Sequence, residues 1–280
     1  MVANATWQPQ HTTAPHATRV TRATRSPPKH VHLLVQPAAT RKTQVSVGPQ
    51  VSQNALLVAL PAEELQRWQP HLQAVDMRLG QVLYEPGCTP AYVYFPTSAV
   101  VSLMCMTQDG KSTEIAVVGR DGAVGMSLFM GGTATPSQAV VQSEGQGFRV
   151  RASTVSHAFM QGGPALVVFL RYVQVVMSQM AQTALCNRHH SIEQQLCRRL
   201  LQALDRCDSP QVSMTHELMA RLLGVRREGV TAAAHRLQLA GVIGYNRGQV
   251  EVINRPRMEC MACECYAAGK RGQPRLFPSL

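Results

Sequence analysis

Three cysteines lie close together near the end of the chain, in the run MECMACECY. Cys260, Cys263 and Cys265 have the spacing C-x2-C-x-C. Thiolates are ligands that zinc and iron–sulfur clusters use in proteins, so this spacing suggests a metal or redox sensor as a hypothesis. The alternative, a group of exposed thiols that bind nothing, stays open. The candidates for a fourth ligand are Cys207, Cys186, His189 and His190.

The cysteines as a whole do not resemble a disulfide framework. There are 8 of them, at irregular intervals along the chain, and no apolar signal-peptide core precedes them. This pattern favours reduced thiols and a cytoplasmic protein.

A second candidate site lies in residues 219–243, MARLLGVRREGVTAAAHRLQLAGVI. Thr215 is a suitable N-cap for a first helix that ends at Gly224, because glycine adopts the left-handed conformation after a helix. A second helix follows within two residues and ends at Gly241. Its apolar positions have helical spacing and predict a buried face, which consists of Val230, Ala233, Ala234 and Leu237.

Charged and polar side chains occupy the start and the opposite face of this second helix. After it, VIGYNRGQVEVI predicts a β-hairpin with Arg247 at its tip. Two helices, a tight turn and a hairpin make a winged helix-turn-helix, which binds DNA in the major groove. Arginine donates two hydrogen bonds to guanine, and glutamate accepts one from cytosine. The predicted DNA-binding residues are Arg226, Arg227, Glu228, Thr231, His235 and Arg247.

The charge distribution agrees with a polyanionic partner. The net charge is +11, and residues 51–205 carry equal numbers of acidic and basic side chains, so the basic excess lies at the two ends. A winged helix that contacts another protein is the alternative. Phosphate-binding loops, nucleophile elbows and H-E-x-x-H motifs are missing from the sequence, and we do not expect an enzyme.

The preceding part of the chain must position this motif. Residues 75–152 contain short β-branched and aromatic runs between turn signals such as Asp109-Gly110 and Asp121-Gly122, which predicts an antiparallel barrel or sandwich. Apolar residues then recur at intervals of four and three in a long helix, the pattern of a dimerisation seam. Polar residues interrupt this helix, so we do not expect a membrane span. The predicted seam is Leu166, Leu170, Val173, Met177 and Met180.

The order of barrel, long helix and winged helix-turn-helix resembles the Crp/Fnr superfamily of bacterial transcription regulators. The segment GVRREGVTAAAHRLQLAGVI is similar to the family's recognition helix, and GQVLYEPG and VYFPTSAVVSL resemble the first strands of its cyclic-nucleotide-binding-like barrel. The resemblance implies a homodimer that binds an inverted-repeat operator, with Arg227 and Glu228 as the base-reading pair. RNA polymerase is a further candidate partner.

The chain also departs from the family pattern. Arg226 replaces a capping serine, and Ala232 replaces a second base-reading arginine, so we expect a different half-site. Members that bind cyclic AMP use a Gly-Glu and an Arg-Ser pair, where this chain has Gly125-Met126 and Ser137-Gln138. We therefore do not expect cyclic AMP to bind in the usual way. Residues 1–87 contain no cysteine, which excludes an N-terminal iron–sulfur cluster.

The fold class we predict is α+β, with an antiparallel β-roll or jelly-roll barrel, a dimerisation helix and a C-terminal winged helix-turn-helix. The predicted segments are a basic arm (1–50), the sensor barrel (51–163), the dimerisation helix and hinge (164–204), the DNA-binding domain (205–266) and a basic tail (267–280).

Overall fold

The computed structural model describes residues 50–132, 134–206 and 211–276. The predicted basic arm, except for its last residue, and Cys207 lie outside these residues. The helices are α1 (Ala55–Val58), α2 (Ala62–Trp68), α3 (Ala152–Met160), α4 (Pro164–His189), α5 (Ile192–Leu204), α6 (His216–Leu223), α7 (Arg227–Leu239), α8 (Arg255–Met261) and α9 (Glu264–Leu276). The strands are β1 (Gln73–Met77), β2 (Val82–Tyr84), β3 (Tyr92–Pro96), β4 (Val100–Met106), β5 (Ser112–Val118), β6 (Gln138–Ser143), β7 (Gly145–Arg151), β8 (Gln211–Ser213), β9 (Ile243–Asn246) and β10 (Gln249–Val252).

The N-terminal part is an antiparallel β-roll. One sheet has the strand order β1-β7-β3 and another has the order β2-β6-β4-β5. This confirms the predicted α+β fold class with strands over the predicted region. Asp109-Gly110 lies in the hairpin between β4 and β5, but Asp121-Gly122 does not join two strands. The chain continues from it into a short 3₁₀ helix, Met126–Met130. Gly122 itself packs so tightly on the Tyr172 ring that a side chain would not fit there.

Strand β4 is apolar on both of its faces because both are buried. Val101 and Leu103 point into the core of the β-roll, whereas Met104 packs in the core of the C-terminal domain. A strand covered on both sides has an almost continuous apolar run instead of alternation. The apolar run VVSLMCM is therefore explained by the contact of β4 with both the β-roll core and the C-terminal domain.

Helix α4 closes the β-roll with one face. Phe169 on this helix is fully buried and lies 4.5 Å from Phe129 and 5.3 Å from Trp68, measured between ring centroids. Val173 belongs to the same core, with only 6% of its surface exposed. The prediction that Val173 lies on a dimer seam is therefore wrong for this residue, since it lies about 60° from Leu170 around the helix, on the side that packs on the β-roll.

The outward face of α4 is also apolar. Val167, Leu170 and Met177 are 49%, 48% and 59% exposed. With a mean hydropathy of 1.3 over its best window, α4 is long and apolar enough to cross a membrane by length and composition alone, and 28% of that window is buried. Its inward face packs on the β-roll, as expected of the core helix of a folded domain.

Helix α5 belongs to the core of the C-terminal domain. Leu196, Leu200 and Leu201 are fully buried and pack with residues of α6 and α7. The structure thus differs from the predicted boundary at 204/205, because the apolar face of α5 supports the helix-turn-helix. Likewise, the predicted basic tail begins as a helix, since α9 runs to Leu276 and packs against α4.

Candidate nucleic-acid interface and cysteine cluster

Helices α6 and α7 form the predicted helix-turn-helix. The Thr215 side chain accepts a hydrogen bond from the Leu218 amide at 3.1 Å, which caps α6. Gly224 ends α6 with a φ of 67°, a left-handed conformation that favours glycine. The turn to α7 is short because Gly224 ends α6 and α7 already begins at Arg227.

The buried face of α7 holds the helix against its neighbours. Val230, Ala233, Ala234 and Leu237 are at most 1% exposed. Arg226 occupies the N-cap position of α7 without a side-chain capping bond, as the replacement of serine predicts. Its guanidinium is therefore available for another contact.

The other predicted residues of α7 lie together on the exposed side of the helix. We call Arg226, Arg227, Glu228, Thr231 and His235 the recognition surface; all five are exposed. Within the described part of the chain, Arg226 and Arg227 form no ion pair and no side-chain hydrogen bond. By contrast, Arg236 pairs with Glu193 at 2.6 Å. The two arginines at the start of α7 are therefore free to meet a ligand.

His216 is a residue of this surface that sequence reasoning missed. Its Nδ1 lies 3.1 Å from the Thr231 hydroxyl, which also donates to the Arg227 carbonyl at 3.0 Å. The His216 ring stacks on Tyr245 with centroids 4.3 Å apart. Burial, together with the nearby Arg227, lowers the pKa of His216. His216 thus helps to orient the start of α7 against the wing, and its position at the start of α6 was the only signal in the sequence.

The wing carries Arg247 at its tip, as predicted. Strands β9 and β10 pair antiparallel, and Arg247 and Gly248 between them have φ values of 46° and 81°. Positive φ at both central residues is typical of the tight turn that suits a twisted hairpin. Arg247 is exposed, and in the described residues its side chain has no ion-pair partner.

The four predicted effector-pocket residues lie on the β-roll. Gly125, with a φ of 110°, precedes the 3₁₀ turn that begins at Met126. Ser137 is buried, with its hydroxyl 3.2 Å from that of Thr135, and Gln138 donates to the Glu85 carboxylate at 2.7 Å. Burial raises the pKa of the neighbouring Tyr84 to about 12. These positions offer hydroxyl, amide and carboxylate groups, and no cation takes the place of the family's arginine.

The structure gathers a cysteine cluster that only partly matches the predicted one. Cys186, His190, Cys263 and Cys265 place one ligand atom each within 4.8 Å of one another. We call these four residues the Cys3His cluster. Cys260 is exposed and lies outside it, so its assignment as a ligand is wrong. The reason is that α8 continues to Met261 and holds Cys260 on its outer side, whereas Cys263 lies after the helix.

Hydrogen bonding makes the cluster thiols unequal. The hydrogen bond between Cys186 and Cys263 lowers the pKa of the Cys263 thiol and raises that of Cys186. Burial raises the pKa of Cys265. His190, by contrast with the exposed His189, faces the cluster from the end of α4.

Comparisons with known proteins agree with this architecture. Residues 75–161 match the model of the cyclic nucleotide-binding domain, and residues 194–261 match that of the Crp-like helix-turn-helix domain. Together the two matches span more than half of the chain and follow the order of domains in the structure. The chain belongs to the Crp/Fnr superfamily. A search of curated proteins gave no significant match.

Solved Crp/Fnr structures have the same fold. The chain is similar to FixK2 from Bradyrhizobium japonicum, with 16% identity and a TM-score of 0.60 over 69% of this chain and 98% of that one. It is also similar to the c-di-GMP responsive global regulator CLP of Xanthomonas campestris, with 16% identity and a TM-score of 0.56 over 69% of this chain and 100% of that one. A Crp/Fnr family regulator from Thermus thermophilus gives 16% identity and a TM-score of 0.55 over 68% and 98% of the two chains.

Membership of the Crp/Fnr superfamily defines the general role of this chain. It is a Crp/Fnr-like transcription regulator with a cyclic-nucleotide-binding-like domain and a helix-turn-helix, a module through which such regulators bind DNA. The effector, the operator and the assembly of this Crp/Fnr regulator are not given by the family.

Proposed function

We propose that the protein is a cytoplasmic homodimer that binds an inverted-repeat operator through the recognition surface of each α7. The observation that carries this proposal is the pair Arg226 and Arg227, exposed at the start of a helix whose other face is buried. Arg227 and Glu228 read base edges in the major groove, and Arg226 and Arg247 bind phosphates. Thr231 and His235 extend the same surface by one helical turn.

Dimerisation uses the outward face of α4. Leu170 and Met177 lie exposed on this face, Leu166 is half-buried one turn before Leu170, and Met180 lies at the edge against the β-roll. Exposed apolar side chains along several turns of one helix are typical of an interaction surface. A second copy of α4 would cover them and place the two recognition surfaces about one turn of DNA apart, roughly 34 Å.

The β-roll transmits a signal that does not come from cyclic AMP bound in the family manner. The ribose of that ligand would meet Met126 instead of a carboxylate. Its phosphate would meet Ser137 and Gln138, and Gln138 already binds the carboxylate of Glu85. Since an anion needs a cationic partner in a buried site, this arrangement disfavours a cyclic phosphate. RNA polymerase is the partner we propose for the bound dimer.

Selection of DNA sites from a random pool tests the proposal. The purified protein should enrich an inverted repeat, and Arg227→Ala should relax one position in each half-site while the protein still binds. Arg78→Ala, which removes an exposed arginine of the β-roll, should leave the selected site unchanged. The proposal would be refuted if no sequence were enriched above the salt-sensitive, non-specific DNA binding, whether or not cell extract is present.

A further inference from the structure

The Cys3His cluster joins the C-terminal end of α4, the proposed dimerisation helix, to the start of α9. Cys186 is in the last turn of α4, and His190 is the residue that ends this helix. Cys263 and Cys265 flank the first residue of α9. Four ligands of the two types that zinc prefers, three cysteines and one histidine, are thus supplied by two segments that are 77 positions apart, measured from Cys186 to Cys263.

The distances within the cluster suit a single metal ion. The sulfurs of Cys186 and Cys263 are 3.5 Å apart, and the Cys265 sulfur is 3.5 Å from Nδ1 of His190. Tetrahedral zinc, with Zn–S bonds of about 2.3 Å and Zn–N bonds of about 2.0 Å, places neighbouring ligand atoms about 3.5–3.8 Å apart. A four-iron cluster binds its thiolates on different irons and so needs them further apart.

The surroundings of the cluster orient its ligands. His190 Nε2 lies 3.1 Å from the Glu264 carboxylate, so a protonated Nε2 leaves the lone pair of Nδ1 facing the sulfurs. A carboxylate on the far nitrogen is the usual partner of a zinc-binding histidine. Gln182 Nε2 donates to the Cys265 sulfur at 2.8 Å, a contact that stabilises a thiolate.

Burial points to a structural rather than a catalytic site. Cys186 and Cys265 are fully buried and Cys263 is 4% exposed. Four protein ligands leave no open position for water or substrate, which is the character of closed structural zinc sites. A disulfide between Cys186 and Cys263 would use only two of the four groups and leave His190 and Cys265 unexplained.

We propose that Cys186, His190, Cys263 and Cys265 bind one Zn²⁺ ion that fastens α9 to the end of α4. Metal binding itself is independent of DNA. A consequence rests on the proposed function: since α4 is the proposed dimerisation helix and α9 follows the DNA-binding domain, the ion holds that domain in a defined position on the dimer.

Metal analysis of the full chain, purified under reducing conditions, tests the site. We expect one equivalent of zinc per chain, and Co²⁺ in its place should give the absorption bands of a tetrahedral, thiolate-bound ion. Cys263→Ser and His190→Ala should each lose most of the bound metal. The matched controls Cys260→Ser and His189→Ala, at exposed neighbouring positions, should keep one equivalent.

A variant that still has four metal ligands distinguishes loss of the metal site from loss of folding. His190→Cys should still bind Co²⁺, and its sulfur-to-cobalt band should rise by about a third because four thiolates replace three. The proposal would be overturned if reduced wild-type protein bound neither Zn²⁺ nor Co²⁺. It would also be overturned if the protein contained iron with labile sulfide, or if mass spectra showed a Cys186–Cys263 disulfide. Because these readouts need no DNA, failure of DNA binding would contradict only the proposed function.

Discussion

Arg199 of α5 and Glu114 of β5 form a buried ion pair that joins the DNA-binding domain to the β-roll. Arg199 Nη2 lies 2.6 Å from the Glu114 carboxylate, and the two side chains are 2% and 7% exposed. The same nitrogen contacts Gln142, whose amide oxygen also accepts a hydrogen bond from Ser102. This network sits where Met104 of β4 enters the C-terminal core, so both polar and apolar contacts link the domains.

Removal of one partner of this ion pair should destabilise the folded protein. Glu114→Leu leaves the Arg199 charge buried without an anion, and we expect the free energy of unfolding to fall by about 3–5 kcal/mol. Urea unfolding followed by circular dichroism measures the change. Burial lowers the pKa of the Arg199 guanidinium, and the Glu114 carboxylate acts in the opposite direction.

A double variant separates the ion pair from simple packing. Glu114→Leu combined with Arg199→Met removes both charges and should recover most of the lost stability. Glu251→Leu, at an exposed strand position, should change stability by no more than about 0.5 kcal/mol. A double variant as unstable as Glu114→Leu alone would contradict the interpretation of the pair.

If the outward face of α4 forms the dimer interface, a charged residue on this face should disrupt the dimer. Leu170→Glu places a charge among exposed apolar side chains, and we expect the dimer to dissociate to a monomer. Arg78→Glu is the control, because it introduces the same charge at an exposed position of the β-roll, outside α4. Analytical ultracentrifugation of both variants measures the oligomeric state. A dimeric Leu170→Glu protein would show that another surface joins the two chains.

The wing arginine should contribute affinity without sequence preference. Arg247 has a φ of 46°, which asparagine tolerates better than most residues, so Arg247→Asn keeps the turn and removes the charge. We expect weaker binding to all sequences and a salt slope that falls by about one unit per chain. Fluorescence anisotropy at several salt concentrations provides both values. A slope equal to that of wild type would mean that Arg247 does not contact phosphate.

The Glu264–His190 contact should tune the proposed zinc site. Glu264→Gln removes the carboxylate that orients His190, and we expect zinc affinity to fall about 10–100-fold. Competition with a zinc-binding dye measures this affinity. Glu259→Gln is the control, because its carboxylate accepts from Arg255 at 3.0 Å and not from the cluster. If Glu264→Gln bound zinc as tightly as wild type, Glu264 would not contribute to the zinc site.

Local patterns in the sequence were enough to predict the helix-turn-helix. Thr215, Gly224 and the apolar spacing of α7 act over a few residues, so the caps, the buried face and the exposed arginines could all be assigned. The sequence also predicted the β-roll, since turn signals and short apolar runs are local too. It placed the long helix but not its faces, because Val173 and Met177 are both apolar and one turn apart, and only packing on the β-roll distinguishes them.

The sequence by itself determined the fold class, the order of domains and the likeness to a family of transcription regulators. Tertiary structure alone decided the membership of the Cys3His cluster and the partner of Arg199. Cys186 and Cys263 are distant in the chain, and the geometry of α4, α8 and α9 brings them together while it turns Cys260 outward. Helix and turn signals act within a few residues, whereas metal ligands and buried charges are paired by the packing of whole elements.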